Sequence, residues 1–308
     1  MMSVSGTKKT IFSQSVYFSP LPLDTGESPV DMLNIIWRKN DVFLDVGNYS
    51  LGSFIMIAWP LILLFLLIGY IMPDPLLMLS GFVVVGCPVL CFIHSLFQAA
   101  PLPIRFNRQR REVCIPKGKD EYWLVPWESV VAASVQGFSI SQAGKMTQGL
   151  LIVTFKKNRA EVGEEDAFYS WGFNCGGGVA AMQLWECMRS YMEIGPHAVT
   201  DNTARFYRPK GILASYAEDV VEAAQRKGWF MAVLWEGFFG LFIFNTLLID
   251  VLERMKLSPP PDLPYPEIIE WSKPLPPDQW AKRSPELEVA IARREAELGI
   301  KPVESCRR

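Results

Sequence analysis

The sequence predicts an α+β membrane protein, and three observations carry that reading. Two uncharged apolar blocks stand close together, at Phe54–Met72 and Leu76–Phe97. Short β-like runs separated by turn signals fill 101–173. One amphipathic helical stripe follows at Gly178–Met192. Half of the 308 residues are hydrophobic and the mean hydropathy is +0.16, but the apolar residues are gathered in blocks and the remainder has a soluble composition.

The first block holds 19 residues without a charge, twelve of them Leu, Ile or Phe. That is the length needed to cross a hydrocarbon core of ~30 Å, and each such residue favours insertion by ~0.3–0.6 kcal/mol. Pro60 predicts a kink, which a membrane helix tolerates when the freed carbonyl finds a partner. Pro73-Asp74-Pro75 then forces a tight turn, and the second block completes a transmembrane helical hairpin over 53–98. Gly81 and Gly86 let its helices approach closely, although their spacing of five is not a small-xxx-small motif.

Trp229–Ile249 reads as a third hydrophobic helix, spanning the membrane, with an in-plane or partly buried helix as the other reading. Its twelve Phe, Leu, Ile and Val residues contribute ~−5 kcal/mol, which Glu236 opposes by about +3 kcal/mol if charged at mid-depth. Glu236 reads either as a polar contact or ion path within a bundle or, more simply, as a snorkelled or protonated carboxyl. Lys8, Lys9, Arg38 and Lys39 precede the hairpin and Arg105, Arg108, Arg110 and Arg111 follow it, while its turn has no Lys or Arg. The positive-inside rule therefore expects both flanks in the cytoplasm. Arg226 and Lys227 before the third block balance Arg254 and Lys256 after it, so charge leaves the side of the C-terminal tail open.

The expected strands are Ile104–Phe106, Glu112–Ile115, Tyr122–Pro126, Val130–Phe138, Leu150–Phe155 and Ala167–Phe173, with turns at Lys117–Asp120 and Ala143–Lys145 and a charged loop over Lys156–Asp166. Ala181, Leu184, Trp185, Met188, Tyr191 and Met192 make the helical stripe, closed by Gly195-Pro196. Six antiparallel strands capped by one C-terminal helix suggest a pleckstrin-homology-like domain over 99–198. The full expected division is an N-terminal cytoplasmic segment 1–52, the hairpin 53–98, the strand-rich domain 99–198, a partly helical connection 199–228, the third hydrophobic helix 229–250, and a Pro-rich tail with a terminal helix, 251–308.

Several features invite a ligand. Gly176-Gly177-Gly178 precedes a helix, where backbone amides hold phosphates, but it lacks the P-loop Lys-Ser/Thr and the dinucleotide spacing, and reads more simply as a strand-to-helix joint. Arg105, Arg108, Arg110 and Arg111 are candidate contacts for anionic lipid headgroups, besides setting topology. Trp123, Trp127, Trp171 and Trp185 read as core rather than as a sticky surface. The cysteines Cys87, Cys91, Cys114, Cys175, Cys187 and Cys306 form no CxxC pair, and His94 and His197 sit in no ligand spacing, so neither a disulfide framework nor a metal site is expected. No nucleophile elbow or HExxH motif is present; the expectation is a protein that is not an enzyme, with no cofactor and no small-molecule substrate. A net charge of −2 and a pI near 5.9 argue against nucleic acid as partner.

At the termini, Asp31–Arg38 is expected to form a short helix on the membrane face. The prolines from Pro259 to Pro285 resist regular structure and suit a segment that wraps a surface. Ser284 as N-cap, Pro285 at the first position and Gly299 beyond the last define a terminal helix with a thin stripe of Leu287, Ile291 and Leu298.

Two segments, FNRQRREVCIPKG…YWLVPWESVVA at Phe106–Ala132 and WGFNCGGGVAAMQLWECMRSYMEIGP at Trp171–Pro196, resemble a family of uncharacterised bacterial membrane proteins in which a strand-rich domain follows a transmembrane hairpin. Members are often encoded beside type VI secretion effectors, and several are regarded as immunity or accessory proteins. The resemblance covers about residues 50–250 and implies no catalytic residue; Cys114 and Cys187 stand where aromatic or aliphatic residues are expected. It implies an immunity protein of the bacterial inner membrane that binds and neutralises a cognate effector toxin. The charge flanks expect the N-terminus and 99–228 to face the cytoplasm, so the toxin is expected to act there, a nuclease being the expected kind. A membrane adaptor that loads an effector, and an anionic-lipid-binding module, are the other expectations. The partner-contacting residues are not readable.

Overall fold

The structure, a computed structural model, describes residues 6–9, 13–17, 21–49, 51–118, 121–141, 144–156, 168–207 and 210–299. The expected turns at Lys119-Asp120 and Ala143, most of the charged loop after Lys156, and Cys306 lie outside these residues.

The fold is α+β, and the chain forms two compact units. The first gathers Met1–Asn48, Leu102–Thr203 and Asp262–Arg308. Its strands are β1 (Gly6–Lys9), β2 (Ser13–Tyr17), β3 (Ile36–Lys39), β4 (Phe43–Val46), β5 (Ile104–Asn107), β6 (Glu112–Pro116), β7 (Tyr122–Pro126), β8 (Val131–Ser141), β9 (Gly144–Lys156) and β10 (Phe168–Asn174). They build two antiparallel sheets, ordered β1-β2-β8-β9-β10 and β3-β4-β5-β6-β7. The body thus extends beyond 99–198, because each sheet takes two strands from the first 48 residues.

The short helix expected at Asp31–Arg38 is not formed, and this is a correction. The Asp31 carboxylate accepts from the Ile35 and Ile36 amides at 3.1 Å each, and the chain then extends into β3. Ile35, Ile36 and Trp37 are buried in the first unit, so core burial overrides the local helical pattern.

Helix α3 (Gly178–Glu193) packs on β8 and β9 and closes the core of this unit. Trp127 and Trp185 stack at its centre with ring centroids 5.5 Å apart, and Phe106 meets Trp127 edge-on at 5.9 Å. Trp123, Trp127 and Trp185 are buried and Trp171 packs against the same core. At the strand-to-helix joint, a Cβ at Gly149 would run into the backbone of Gly177, so the glycines serve close passage of two backbones. The proline-dense tail wraps this unit. Leu263, Tyr265, Ile268 and Trp271 pack around Cys114, the last two from the short helix α7 (Pro266–Trp271). Helix α8 (Pro285–Leu298) ends the described chain, with the Ser284 hydroxyl accepting from the Leu287 amide and Gly299 at φ 67°.

The second unit comprises Tyr49–Pro101 and Ala204–Pro261. Helices α1 (Gly52–Ile71) and α2 (Pro75–Leu96) are long and apolar enough to cross a membrane. Asp74 caps α2, its carboxylate accepting from the Leu76 amide at 2.7 Å. Phe54 stacks on Phe92 at 4.3 Å, and a Cβ at Gly81 would collide with the Phe65 ring. Helix α4 (Ile212–Lys227) is followed by α5 (Trp229–Ile243) and α6 (Thr246–Leu257), which are bent by 68° relative to each other. The third apolar block is therefore broken, at Asn245 in a left-handed conformation, and much of α5 is π-helical.

Candidate functional site

The arginines after the second apolar block are taken up by carboxylates and carbonyls of the first unit. Arg105 lies on β5 opposite Asp45 of β4, so the pairing register places guanidinium beside carboxylate. It donates from Nε at 2.6 Å and from Nη2 at 2.7 Å to Asp45, which is wholly buried, and reaches Asp262 at 2.7 Å and the Ser272 hydroxyl at 3.0 Å. Burial pushes the Asp45 carboxyl up, against the pull of Arg105 and Arg38. Asp262, where burial also opposes ionisation, is held below the usual carboxylate range by the same two arginines.

A second node centres on Glu193 at the end of α3. Arg111 Nη2, Trp127 Nε1 and Arg283 Nε each donate to its carboxylate at 2.7 Å. Burial raises this group, but the arginines and the indole outweigh it and hold the carboxyl below its ordinary value. A third node joins Asp24 and Thr25 to Glu186 and Arg189 of α3, with Arg294 of α8 donating to the Asp24 carbonyl at 2.9 Å. Each node ties at least two of the three chain segments of this unit, and the first and third tie all three.

The same unit carries a cleft of about 670 Å³, lined by Asn40, Asp41, Val42, Arg108, Gln109, Pro196, His197, Pro274 and Trp280. Arg108 stands over the Trp280 ring at 5.4 Å and donates to the Ile194 carbonyl at 3.1 Å. Gln109 fixes the tail along one wall, accepting from the Leu275 amide at 2.6 Å through its side chain and from the Ala281 amide at 2.8 Å through its carbonyl. Lys39 holds another wall through the carbonyls of Pro196 and Val199, at 3.0 and 2.7 Å. Asn40, Asp41, His197 and Pro274 remain exposed on the rim.

All four candidate headgroup residues have protein partners. Arg105 is buried, Arg111 is paired with Glu193 and Glu128, Arg110 donates to the Trp271 carbonyl, and Arg108 lines the cleft. Cys114 and Cys187 are buried, and burial pushes the Cys114 thiol up to about 12 and the Cys187 thiol up as well, which disfavours the thiolate. Among the described residues no group of three or more His, Cys, Asp and Glu side chains is placed to hold a metal ion. Sequence reasoning missed the carboxylates Asp45, Glu186 and Glu193 and the cleft residues Asp41 and Trp280; an acid within a strand or on the apolar side of a helix was the available signal.

One result follows from the Glu193 node. A carboxyl whose pKa is lowered on folding contributes stability above its unfolded value, ~4.3, and loses it as pH falls through the folded value. Acidification should therefore lower the thermal midpoint, and Glu193→Gln should flatten that fall below pH ~4 while costing stability at neutral pH. Midpoints measured from pH 7 to pH 3 on both proteins check this; parallel curves would exclude it.

Comparison with family models, curated proteins and solved structures gives no match.

Proposed function

We propose that the chain is a membrane-anchored binding protein that captures a partner protein in the cleft of its α+β body. The observation that carries this reading is the cleft itself: three distant segments build its walls, and hydrogen bonds brace them, so that little ordering is left to binding. Two helices long and apolar enough to cross a membrane support the anchor, which we read as a transmembrane hairpin. Two antiparallel sheets closed by one helix support the pleckstrin-homology-like reading of the body. The Lys and Arg flanks support a cytoplasmic body.

Within this class we read the chain as an immunity protein that neutralises a type VI secretion toxin, a nuclease acting in the cytoplasm. The resemblance of Phe106–Ala132 and Trp171–Pro196 supports it. The test is a detergent pull-down of the tagged protein with the product of the neighbouring gene, paired with survival of the deletion strain when the toxin is active. A one-to-one complex and toxin-dependent death are expected. Full survival sinks the immunity reading, and loss of secretion without self-killing would mark an adaptor instead. Asp41→Lys with His197→Glu on the exposed rim should weaken capture at least ~10-fold, as a loss of about 1.4 kcal/mol; unchanged capture would remove the cleft as the docking site.

A further inference from the structure

We infer that α5 does not cross the membrane but lies along one interface, pressing its exposed aromatic residues into a single leaflet while the polar α4 packs along it. The inference rests on α1 and α2 crossing the bilayer and is independent of what the body binds.

The chain's own connections come first. Residues 21–48, 102–203 and 262–299 are joined by buried hydrogen bonds, among them Arg105 to Asp45 and Asn107 to the Trp271 carbonyl at 3.0 Å. They must lie on one side of the membrane. The excursion through α1 and α2 returns to that side with two crossings. The excursion 204–261 must also return, and a single crossing by the third apolar block would strand the tail on the opposite face.

Contacts inside the second unit agree. Trp59 donates from Nε1 to the Phe242 carbonyl at 2.9 Å. Trp59 is seven residues past Gly52, about 10 Å along α1, which runs on for roughly another 18 Å to Ile71. A Cβ at Gly52 would meet Ile249 at 3.2 Å, and Lys256 donates to the Gln98 carbonyl at 2.8 Å. Helix α6 therefore touches the N-terminal end of α1 and the segment just after α2. Helix α4 folds back along α5: Ala223 and Ala224 pack with Ala232, the Tyr216 hydroxyl donates to the Glu236 carbonyl, and Lys227 pairs with Glu236 at 3.0 Å. A perpendicular α5 would drag Glu218, Asp219, Glu222 and Arg226 of α4 into hydrocarbon, where charged groups are strongly disfavoured. The large apolar residues left exposed on α5 include Trp229, Phe230, Val233, Trp235, Phe238 and Phe242, while its charged residue, Glu236, is taken up by Lys227 of α4. An apolar helix backed by the charged α4 gives the pair one apolar and one charged side, which suits a seat ~5–10 Å into the headgroup boundary.

The full chain in vesicles of phosphatidylcholine and phosphatidylglycerol tests this. Spin labels go at Phe230→Cys, Phe238→Cys and Phe242→Cys, in a background of Cys87→Ser, Cys91→Ser, Cys175→Ser and Cys306→Ser. A label at Leu61→Cys, close to the middle of α1 and exposed, marks mid-membrane depth. Collision with oxygen against a water-soluble nickel chelate should place the three α5 labels shallower than Leu61 yet shielded from nickel. Depths matching Leu61, or free nickel access, overturn the placement; a Leu61 label in water overturns the bilayer reading of α1 and the placement with it. Leu124→Cys in the body and Lys282→Cys in the tail should react with an impermeant maleimide from the same side, and opposite sidedness also overturns it.

Discussion

Replacing Arg105 with alanine should lower the thermal midpoint of the detergent-solubilised protein by roughly 10 °C. Removing one partner of a buried ion pair costs ~3–5 kcal/mol when the charge left behind is uncompensated, and a unit of this size shifts by ~2–4 °C per kcal/mol. Asp45, fully buried on β4, would keep only the longer contact to Arg38 at 3.3 Å, which sets the loss at the low end of that range. The same change removes the shorter of the two arginine contacts to Asp262 and the donor to Ser272, so the tail should become more readily cleaved by protease after Pro261. Arg105→Lys keeps the charge but not the two-pronged donation to Asp45, and should fall between. Adding Asp45→Asn to Arg105→Ala should recover part of the loss, since the buried charge left with only its longer arginine contact is then gone. A midpoint within ~2 °C of wild type would mean that the pair is dispensable.

Trp127→Ala should cost a similar amount, ~3–5 kcal/mol, by leaving a cavity that its neighbours fill only in part. The ring is fully buried between Trp185 and Phe106, and its indole donates to Glu193. Trp127→Phe keeps most of the volume and drops the donor, while Arg111 and Arg283 still hold Glu193. It should therefore lose less than half as much. Thermal unfolding in detergent, followed by near-ultraviolet dichroism, separates the two; equal losses would assign the effect to the hydrogen bond rather than to the packing.

Elements whose signals are local were legible in the sequence. Tyr122–Pro126 forms a strand with the expected bounds, the stripe of Ala181, Leu184, Trp185 and Met188 is buried on α3, and Ser284 and Gly299 bound α8. What escaped depends on partners far away in the chain. Asp31–Arg38 reads as helical, but its end forms strand β3 because β4 and, beyond it, β5 from past residue 100 are there to pair. Arg105–Arg111 reads as a surface charge run, because nothing near it announces Asp45, Glu193 or a tail about 160 residues on. The cleft was invisible for the same reason: Asp41, Arg108, His197 and Trp280 come together only after three segments do.

The discontinuous body also sets an order of assembly. Strand β2 waits for β8, and Asp24 waits for Arg294, 270 residues later, so the last node cannot close until the ribosome has passed Arg294. At ~5–20 residues per second, that leaves the Cys114 face open for many seconds, long enough for the apolar helices to reach lipid first. The tail then acts as the final clasp, and a chain cut short of it would carry an unlatched body that proteases can recognise.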